Sequence, residues 1–434
     1  MNALDLLYIP LALLTAPWWA GKKRAGWAER FGKIPALPPA KAGAKGRVLL
    51  HAVSVGEVNA LRELIPLLAP HADVVVSSTT DTGLARAREV CGTMATAVRY
   101  PLDFSPSVRS FLNAVKPDVV ILVELEIWPN FVAECSARRL PIAVINGRLS
   151  ERSFKGYSRF KWFFARSYRR LHAAAVQEEA YRARFEAMGV EASRLRVTGS
   201  MKWDAARLQN DAPGAEQLAS ELGIDRSKPL IVAGSTGPLP GRAAPPGFDG
   251  ENGRPAWGEE ALLHAACPPG VQLLCAPRKP ERFEEAAAAM PGCVRRTSRP
   301  KGAGPGAVGP TRFLLDSIGE LRAAYSLADI AIVGRSFGDL YGSDPVEPVS
   351  LGKPTVIGPR FGDFSFAVEA LCAGGGLKVV SAADLRQCLD DLLGDPGARR
   401  ALGEAGRAVI CEHQGASRAH CELALSLLDK SARG

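Results

Sequence analysis

No pair of cysteines in this 434-residue sequence stands at C-x-x-C spacing, and no apolar run of membrane-spanning length goes uninterrupted. The nine cysteines, Cys91, Cys135, Cys267, Cys275, Cys293, Cys372, Cys388, Cys411 and Cys421, are odd in number and scattered. That pattern indicates neither a zinc site nor a disulfide framework, and it fits a reducing compartment. A P-loop, an H-E-x-x-H helix and a Ser-His-Asp order are all missing, so the chemistries that need them have no support. Charged residues make up 23% and hydrophobic residues 47%, ordinary values that exclude a disordered chain. The length is too great for one ordinary core and predicts two domains of roughly 200 residues each.

The net charge of +9 points to an anionic partner such as phospholipid headgroups, nucleic acid or a phosphorylated substrate. Its distribution narrows the choice. The first twenty residues are apolar apart from Asn2 and Asp5, and Lys22, Lys23 and Arg24 follow them. A cleaved signal peptide carries its charges before the apolar run, not after it. Pro10 and Pro17 interrupt the stretch, which is short against the roughly 20 apolar residues of a full span. Residues 1–32 therefore read as an interfacial or barely spanning anchor, with Trp18 and Trp19 at headgroup level and the basic cluster on anionic lipid. A buried helix of the first domain is the alternative.

From Arg47 onward, continuous apolar strands alternate with helical patterns, the mark of a parallel sheet covered on both faces. RVLLHAVSV, DVVVSSTT, PDVVILVELE, PIAVIN and HAAAVQ read as the strands of a first unit, which LRVTGSMKWD closes. EVNALRELIPLLA reads as the helix after the first strand. A second series, PLIVAGS, VQLLCAP, TRFLLD, ADIAIVG and PTVIGP, begins after the polar link ARLQNDAPGAEQ. The predicted domains are therefore 33–207 and 208–434. Residues 237 to 258, rich in Gly and Pro, read as a surface loop, and RPKGAGPGAVGP (299 to 310) reads as a solvated loop and not as a cofactor site.

Ligands of open parallel sheets sit beyond the carboxyl ends of the strands, so the residues there are the candidates. In HAVSVGEVNA, Ser54 and Gly56 allow a tight turn and Glu57 falls at a helix start, where amides and the helix dipole favour negative charge. Glu57 can serve there as a carboxylate general base, or it can simply open the helix. VILVELEIWPN ends an apolar strand in two carboxylates, Glu124 and Glu126, costly unless paired or exposed at a ligand. Read as strand residues they point to opposite faces, which leaves at most one toward the ligand. Lys202 in GSMKWD and Arg278 in APRKPERF can each supply a cation to a phosphate. From Arg152 to Arg170, seven basic residues interleave with Phe154, Tyr157, Phe160, Trp162, Phe163, Phe164 and Tyr168. The mixture suits nucleic acid or a membrane interface, and the apolar amino terminus favours the membrane. Near the carboxyl end, Glu347 opens a helix after a strand and a Gly-rich loop, in the style of a nucleotide-sugar donor site.

HAVSVGE, ELEIWPN, NGRLSERS, GSMKWD, PRKPERF, SIGELRAAYSLADIAIVG and LGKPTVIGP together resemble the 3-deoxy-D-manno-octulosonic acid (Kdo) transferase family, in its order and at similar spacing over nearly the whole chain. The resemblance implies a GT-B fold: two Rossmann-like α/β domains with the active site between them, residues 33–207 handling the acceptor and 208–434 the CMP-sugar. It implies CMP-Kdo as donor, lipid IVA as acceptor, inversion at the anomeric carbon, no metal and no cofactor. It also implies work on an anionic membrane surface, at the cytoplasmic face of a bacterial inner membrane, with no nucleic acid as partner. On the matching positions Glu57 is the general base, and Glu124 and Lys202 stabilise the transition state. Pro277, Arg278, Ile318, Gly319, Glu320, Asp344, Pro345, Val346 and Glu347 match the CMP-binding positions.

Three segments depart from the family pattern. STGPLPGR and the Gly/Pro loop stand in place of T-H-E-G-E-E, GSD (Gly342, Ser343, Asp344) in place of G-H-N, and PRK in place of P-R-H. The alternatives these leave are a GT-B transferase with another nucleotide sugar on a lipid or polysaccharide acceptor and, outside enzymes, a basic membrane-associated RNA-binding protein. The second leaves the strand-end carboxylates unexplained.

Overall fold

The computed structural model describes Asp5 and residues 25–240, 256–299, 301–302, 304–307 and 309–431. The described residues form two compact units. The first takes the chain up to Ala205 and again from His413, and the second is Ala206–Glu412.

The first unit is built on a seven-stranded parallel sheet of β1 (Arg47–His51), β2 (Asp73–Ser78), β3 (Ala95–Arg99), β4 (Val119–Val123), β5 (Ile142–Gly147), β6 (Ala173–Val176) and β7 (Leu195–Val197). Their spatial order is β3-β2-β1-β4-β5-β6-β7. Side chains alternate between two cores. Val48, Leu50, Val74, Val76 and Ile121 face one cluster. Leu49, Val75, Val120 and Leu122 face the other, with Phe111 and Phe131. Strands buried on both faces explain the unbroken apolar runs, and each fully buried aliphatic side chain contributes about 1.5–3 kcal/mol. The chain direction across the sheet reverses between β1 and β4, so the carboxyl ends of these two strands frame the switch point where such sheets bind ligands.

Three expectations change here. The single helix read from EVNALRELIPLLA is two, Val55–Ala60 and Leu64–Leu68. Pro66 accounts for the break, since it has no N–H and its ring clashes with the carbonyl four residues back. The second domain does not run to 434. The helix Ala416–Ser431 returns to the first unit, where Ala416, Cys421, Ala424, Leu427 and Leu428 join the core with Leu64, Ile65 and Leu68. Its apolar stripe is buried there and needs no partner in the second unit. Residues 25–32 of the expected anchor also belong to the first unit. Within the short helix Trp27–Arg30, Arg30 pairs with Asp81 at 3.2 Å and Glu29 with Arg99 at 2.8 Å. Asp5 is buried and accepts from the Ser105 amide at 2.9 Å and the Asn130 side-chain amide at 3.2 Å. The rest of segment 1–32 lies outside the described residues, among which no helix is long and apolar enough to cross a membrane.

The second unit repeats the plan with β8 (Leu230–Thr236), β11 (Gln272–Pro277), β12 (Val294–Arg295), β13 (Arg312–Leu314), β14 (Ile330–Val333), β15 (Thr355–Ile357) and β16 (Lys378–Val379). Their order is β12-β13-β11-β8-β14-β15-β16, all parallel, with the switch point between β8 and β14. The segment read as a loop at 237 to 258 begins and ends in an antiparallel pair, β9 (Pro238–Pro240) and β10 (Ala256–Gly258). Residues 241–255 lie outside the described residues.

Candidate active site

The first group of charges collects at the carboxyl edge of the first sheet. After β1 the chain turns, and Ser54 caps the helix Val55–Ala60. Glu57, three residues on, accepts from the Val53 amide at 2.8 Å through one carboxylate oxygen and from the Ser54 hydroxyl at 2.8 Å through the other. This is a variant of the capping box in which the carboxylate reaches the amide one residue before the N-cap, so the half-buried carboxylate has a local structural reason to be where it is. The same geometry fixes it at the mouth of the switch point.

After β4 the strand geometry stops. Glu124 has φ +58°, left-handed backbone that a side chain larger than glycine adopts at a cost of about 1–2 kcal/mol, and its amide still donates to the Ile145 carbonyl at 3.0 Å. The alternation of a strand therefore does not apply to Glu124 and Glu126, and the expectation that they face opposite sides fails. Burial is the main force pushing the Glu124 carboxyl above its ordinary range. Glu57 adds to that, while Lys202 and Arg148 oppose it. Glu126 is pushed up to about 7, first by burial, with the charges of Glu57 and Glu124 adding and the Trp128 indole opposing. All three carboxylates thus act on one another at one strand edge.

Lys202 lies exposed in the short helix Met201–Asp204, which follows β7. The Met201 amide donates at 3.0 Å to the side chain of Asn146, the penultimate residue of β5, which has φ +51°. The returning carboxyl-terminal segment holds the other side: the Gln414 side chain donates to the Trp203 carbonyl at 3.0 Å, and Asp204 accepts from the Gly415 and Ser417 amides at 2.6 and 2.5 Å. Glu57, Glu124 and Lys202, far apart in sequence, are brought to one edge. Glu126, His51 beneath it and Arg148 were not assigned roles by sequence reasoning. The E-L-E doublet was the available signal for Glu126.

In the second unit the expected donor residues follow the carboxyl ends of neighbouring strands. Pro277 ends β11, and the Arg278 amide donates to the Thr236 carbonyl of β8 at 3.0 Å. After β13 come Ile318, highly exposed, Gly319 at φ +94° and Glu320, the residue immediately before the helix Leu321–Leu327. The Glu320 carboxylate is already engaged by Arg296 at 2.7 Å and by the Ser317 hydroxyl at 2.6 Å, so its carboxylate is held by protein groups. After β14, the Asp344 side chain accepts from the Val346 amide at 2.9 Å and Pro345 leads into the helix Val346–Ser350. Glu347 in that helix is pushed up by burial, with Arg322 opposing.

One residue set went unread. Glu259, fully buried at the switch point of the second sheet, accepts from the Gly237, Arg335, Ser336 and Phe337 amides at 2.6 to 3.0 Å. Glu260 beside it accepts from the Arg282 guanidinium at 3.0 Å. Two adjacent carboxylates opening a helix just after the Gly/Pro stretch were the sequence signal.

Comparison with known proteins places this architecture. A crystallised Anabaena protein, HepE in complex with UDP, matches with TM-score 0.54 and 13% identity, over 88% of this chain and 99% of that one. UDP-GlcNAc 2-epimerase from Neisseria meningitidis matches with TM-score 0.54 and 14% identity, over 88% and 100%. The two parallel-sheet units, with ionisable groups at their strand ends, have the fold of GT-B glycosyltransferases. In sequence, residues 25–205 match the family described as 3-Deoxy-D-manno-octulosonic-acid transferase (kdotransferase). The 3-deoxy-D-manno-octulosonic acid transferase of Bordetella pertussis is 32% identical over 94% of this chain and 95% of its own. That of Haemophilus influenzae is 30% identical over 99% and 96%. The chain belongs to the Kdo transferase family of glycosyltransferases.

Gly258 ends the β9–β10 pair after β8, and Glu259 and Glu260 follow it. The Glu259 amide donates to the Gly237 carbonyl at 2.8 Å, closing the base of the β9–β10 pair.

Proposed function

We propose that this protein transfers Kdo from CMP-Kdo to lipid IVA with inversion and without a metal ion, at the cytoplasmic face of the bacterial inner membrane. The observation that carries the reading is the group of carboxylates and Lys202 at the β1/β4 switch point of a Kdo transferase, with Glu57 fixed at a helix start. Glu57 takes the proton of the acceptor hydroxyl, whose oxygen bonds to the anomeric carbon as the bond to the CMP phosphate breaks. CMP leaves with the bonding electron pair, and attack from the opposite face inverts the centre. Positive charge develops on the sugar ring, which Glu124 offsets, and Lys202 meets negative charge on the departing phosphate. Pro277, Arg278, Ile318, Gly319, Glu320 and the segment Asp344, Pro345, Val346, Glu347 hold the CMP.

The basic stretch supports the membrane part. It folds as two helices, Glu151–Arg159 and Lys161–Tyr168. Phe154, Tyr157, Phe164 and Tyr168 turn to the core, so those aromatics have a structural reason. Phe160 and Trp162 are 57% and 78% exposed among the exposed Arg152, Lys155, Arg159, Lys161 and Arg166. Apolar rings amid cations suit the headgroup layer of an anionic bilayer, and the apolar stretch within residues 1–32 adds a second attachment.

The direct test incubates purified protein with CMP-Kdo and lipid IVA and reads product mass. A mass increase of one or more Kdo residues is expected. No product from CMP-Kdo, with transfer from a UDP-sugar under the same conditions, would reject the donor.

A further inference from the structure

His51 ends β1 directly beneath the candidate site and is completely buried. Its ring lies flat against Tyr100, with centroids 3.5 Å apart and planes 13° off parallel. Nδ1 sits 3.2 Å from the Ser77 carbonyl oxygen and 3.1 Å from the Ser77 hydroxyl. The carbonyl only accepts and the Ser77 hydroxyl donates to the Leu50 carbonyl at 3.3 Å, so Nδ1 carries the ring proton. Burial drives the imidazole to a pKa of about 3, so the ring is neutral and Nε2 is a bare lone pair. Nε2 is buried and has no hydrogen-bond partner among the described residues. The carboxyl oxygen of Glu126 that accepts from the Trp128 indole at 2.7 Å faces it at 4.0 Å.

An ionised Glu126 sets a negative charge against that lone pair, which is repulsive. A protonated Glu126 turns an O–H toward it, and the same approach becomes attractive. The Trp128 indole favours the ionised form, and the neighbouring carboxylates and burial oppose it. Glu57, on the helix after β1, and Glu124, on its own loop, both present negative charge. Tyr157, on the helix Glu151–Arg159, feels the Glu126 charge as a neutral phenol. The cations Lys202 and Arg148 act on Glu124. Burial pushes the Glu126 carboxyl up to about 7 in the same sense.

We propose that Glu126 is a positioning residue that works as a neutral carboxylic acid, its proton directed at Nε2 of His51, so that Glu57 acts beside an uncharged neighbour. The functional half of this rests on the reading of Glu57 as the base. The protonation half does not depend on that reading. As pH rises through about 7, Glu126 ionises, its attraction for the Nε2 lone pair turns to repulsion and a second charge appears beside Glu57.

Two measurements test it. The first is the pH profile of kcat/KM from pH 5 to 9 for the wild type, E126Q and E126A. Glutamine keeps an uncharged polar head of the same size and cannot ionise. E126Q is expected within about threefold of the wild type at pH 6, without the alkaline loss of about tenfold per pH unit that one ionisation produces. E126A, with no donor, is expected to lose at least about tenfold throughout. A loss of 100-fold or more in E126Q at pH 6 would overturn the proposal, because it would mean that the ionised carboxylate is needed. The second is nitrogen NMR of His51 in the ligand-free enzyme. Nδ1 should report as protonated and Nε2 as unprotonated, with an Nε2 shift that titrates near pH 7 in the wild type and not in E126Q. A proton found on Nε2 would overturn it. Because this readout needs no substrate, it separates the two readings: full activity in E57Q with the expected His51 spectrum would refute the base and leave the neutral Glu126 standing.

Discussion

Replacing Glu57 by glutamine separates its two possible duties, because the structure sets a different magnitude on each. The carboxylate accepts two hydrogen bonds of 2.8 Å, from the Val53 amide and the Ser54 hydroxyl. Glutamine retains one carbonyl oxygen and so one of these bonds. Losing the other costs about 1 kcal/mol, which lowers the melting temperature of a domain this size by about 2–4 °C. Loss of a general base costs about 10²–10⁴-fold in rate, equivalent to about 3–5 kcal/mol of barrier. The expected outcome is therefore a rate reduced at least about 100-fold in a protein that melts within a few degrees of the wild type. Initial rates of transfer from CMP-Kdo to lipid IVA, beside a thermal melt of the same preparation, give both numbers. A variant within threefold of the wild-type rate would show that Glu57 only caps its helix. A loss of rate matched by a collapse of the melt would refute the argument from capping geometry.

Other outcomes follow from the same geometry. Glu259→Ala leaves the amides of Gly237, Arg335, Ser336 and Phe337 without their shared acceptor. At about 1–3 kcal/mol for each orphaned donor, the second unit should lose most of its stability, seen as loss of its thermal transition and of CMP binding by calorimetry. Burial holds His51 and His420 at about 3, below the ordinary 6.5. The unfolded chain then binds two protons between those values that the folded chain does not, so stability is present above pH 6.5 and drains as pH falls. The loss is on the order of 4 kcal/mol by pH 5 for the pair, checked by denaturant melts at stepped pH. Glu126 runs the other way, since its raised carboxyl binds a proton in the folded state first, so the acid loss should be steeper in E126Q. On the membrane side, replacing exposed Phe160 and Trp162 by alanine should weaken flotation with vesicles of anionic phospholipid, and reversing Arg152, Lys155 and Arg159 to glutamate should abolish its salt-sensitive part. Unchanged flotation in both variants would remove this helix pair from the membrane surface.

Much of the architecture was legible because its causes are local. Runs such as Val119–Val123 are apolar at every position since both faces of a parallel sheet are covered, and that composition is visible without knowing what covers them. The S-x-x-E spacing of Ser54 and Glu57 states its own capping geometry. Where the reading failed, the cause was distant in sequence. Glu124 and Glu126 were assigned to opposite faces because a strand alternates, yet the left-handed turn at Glu124 ends the strand one residue earlier.

The amino-acid sequence by itself determined the two parallel sheets, the helix-start position of Glu57 and membership of the Kdo transferase family, since each depends on composition or on motifs within a few residues. Only the tertiary structure decided that the last helix returns to the first unit and latches the Lys202 helix, that three carboxylates share one strand edge, and that His51 offers a bare lone pair to Glu126. These depend on groups tens to hundreds of residues apart meeting where water is excluded. There burial, and not residue type, sets which of them carries a proton.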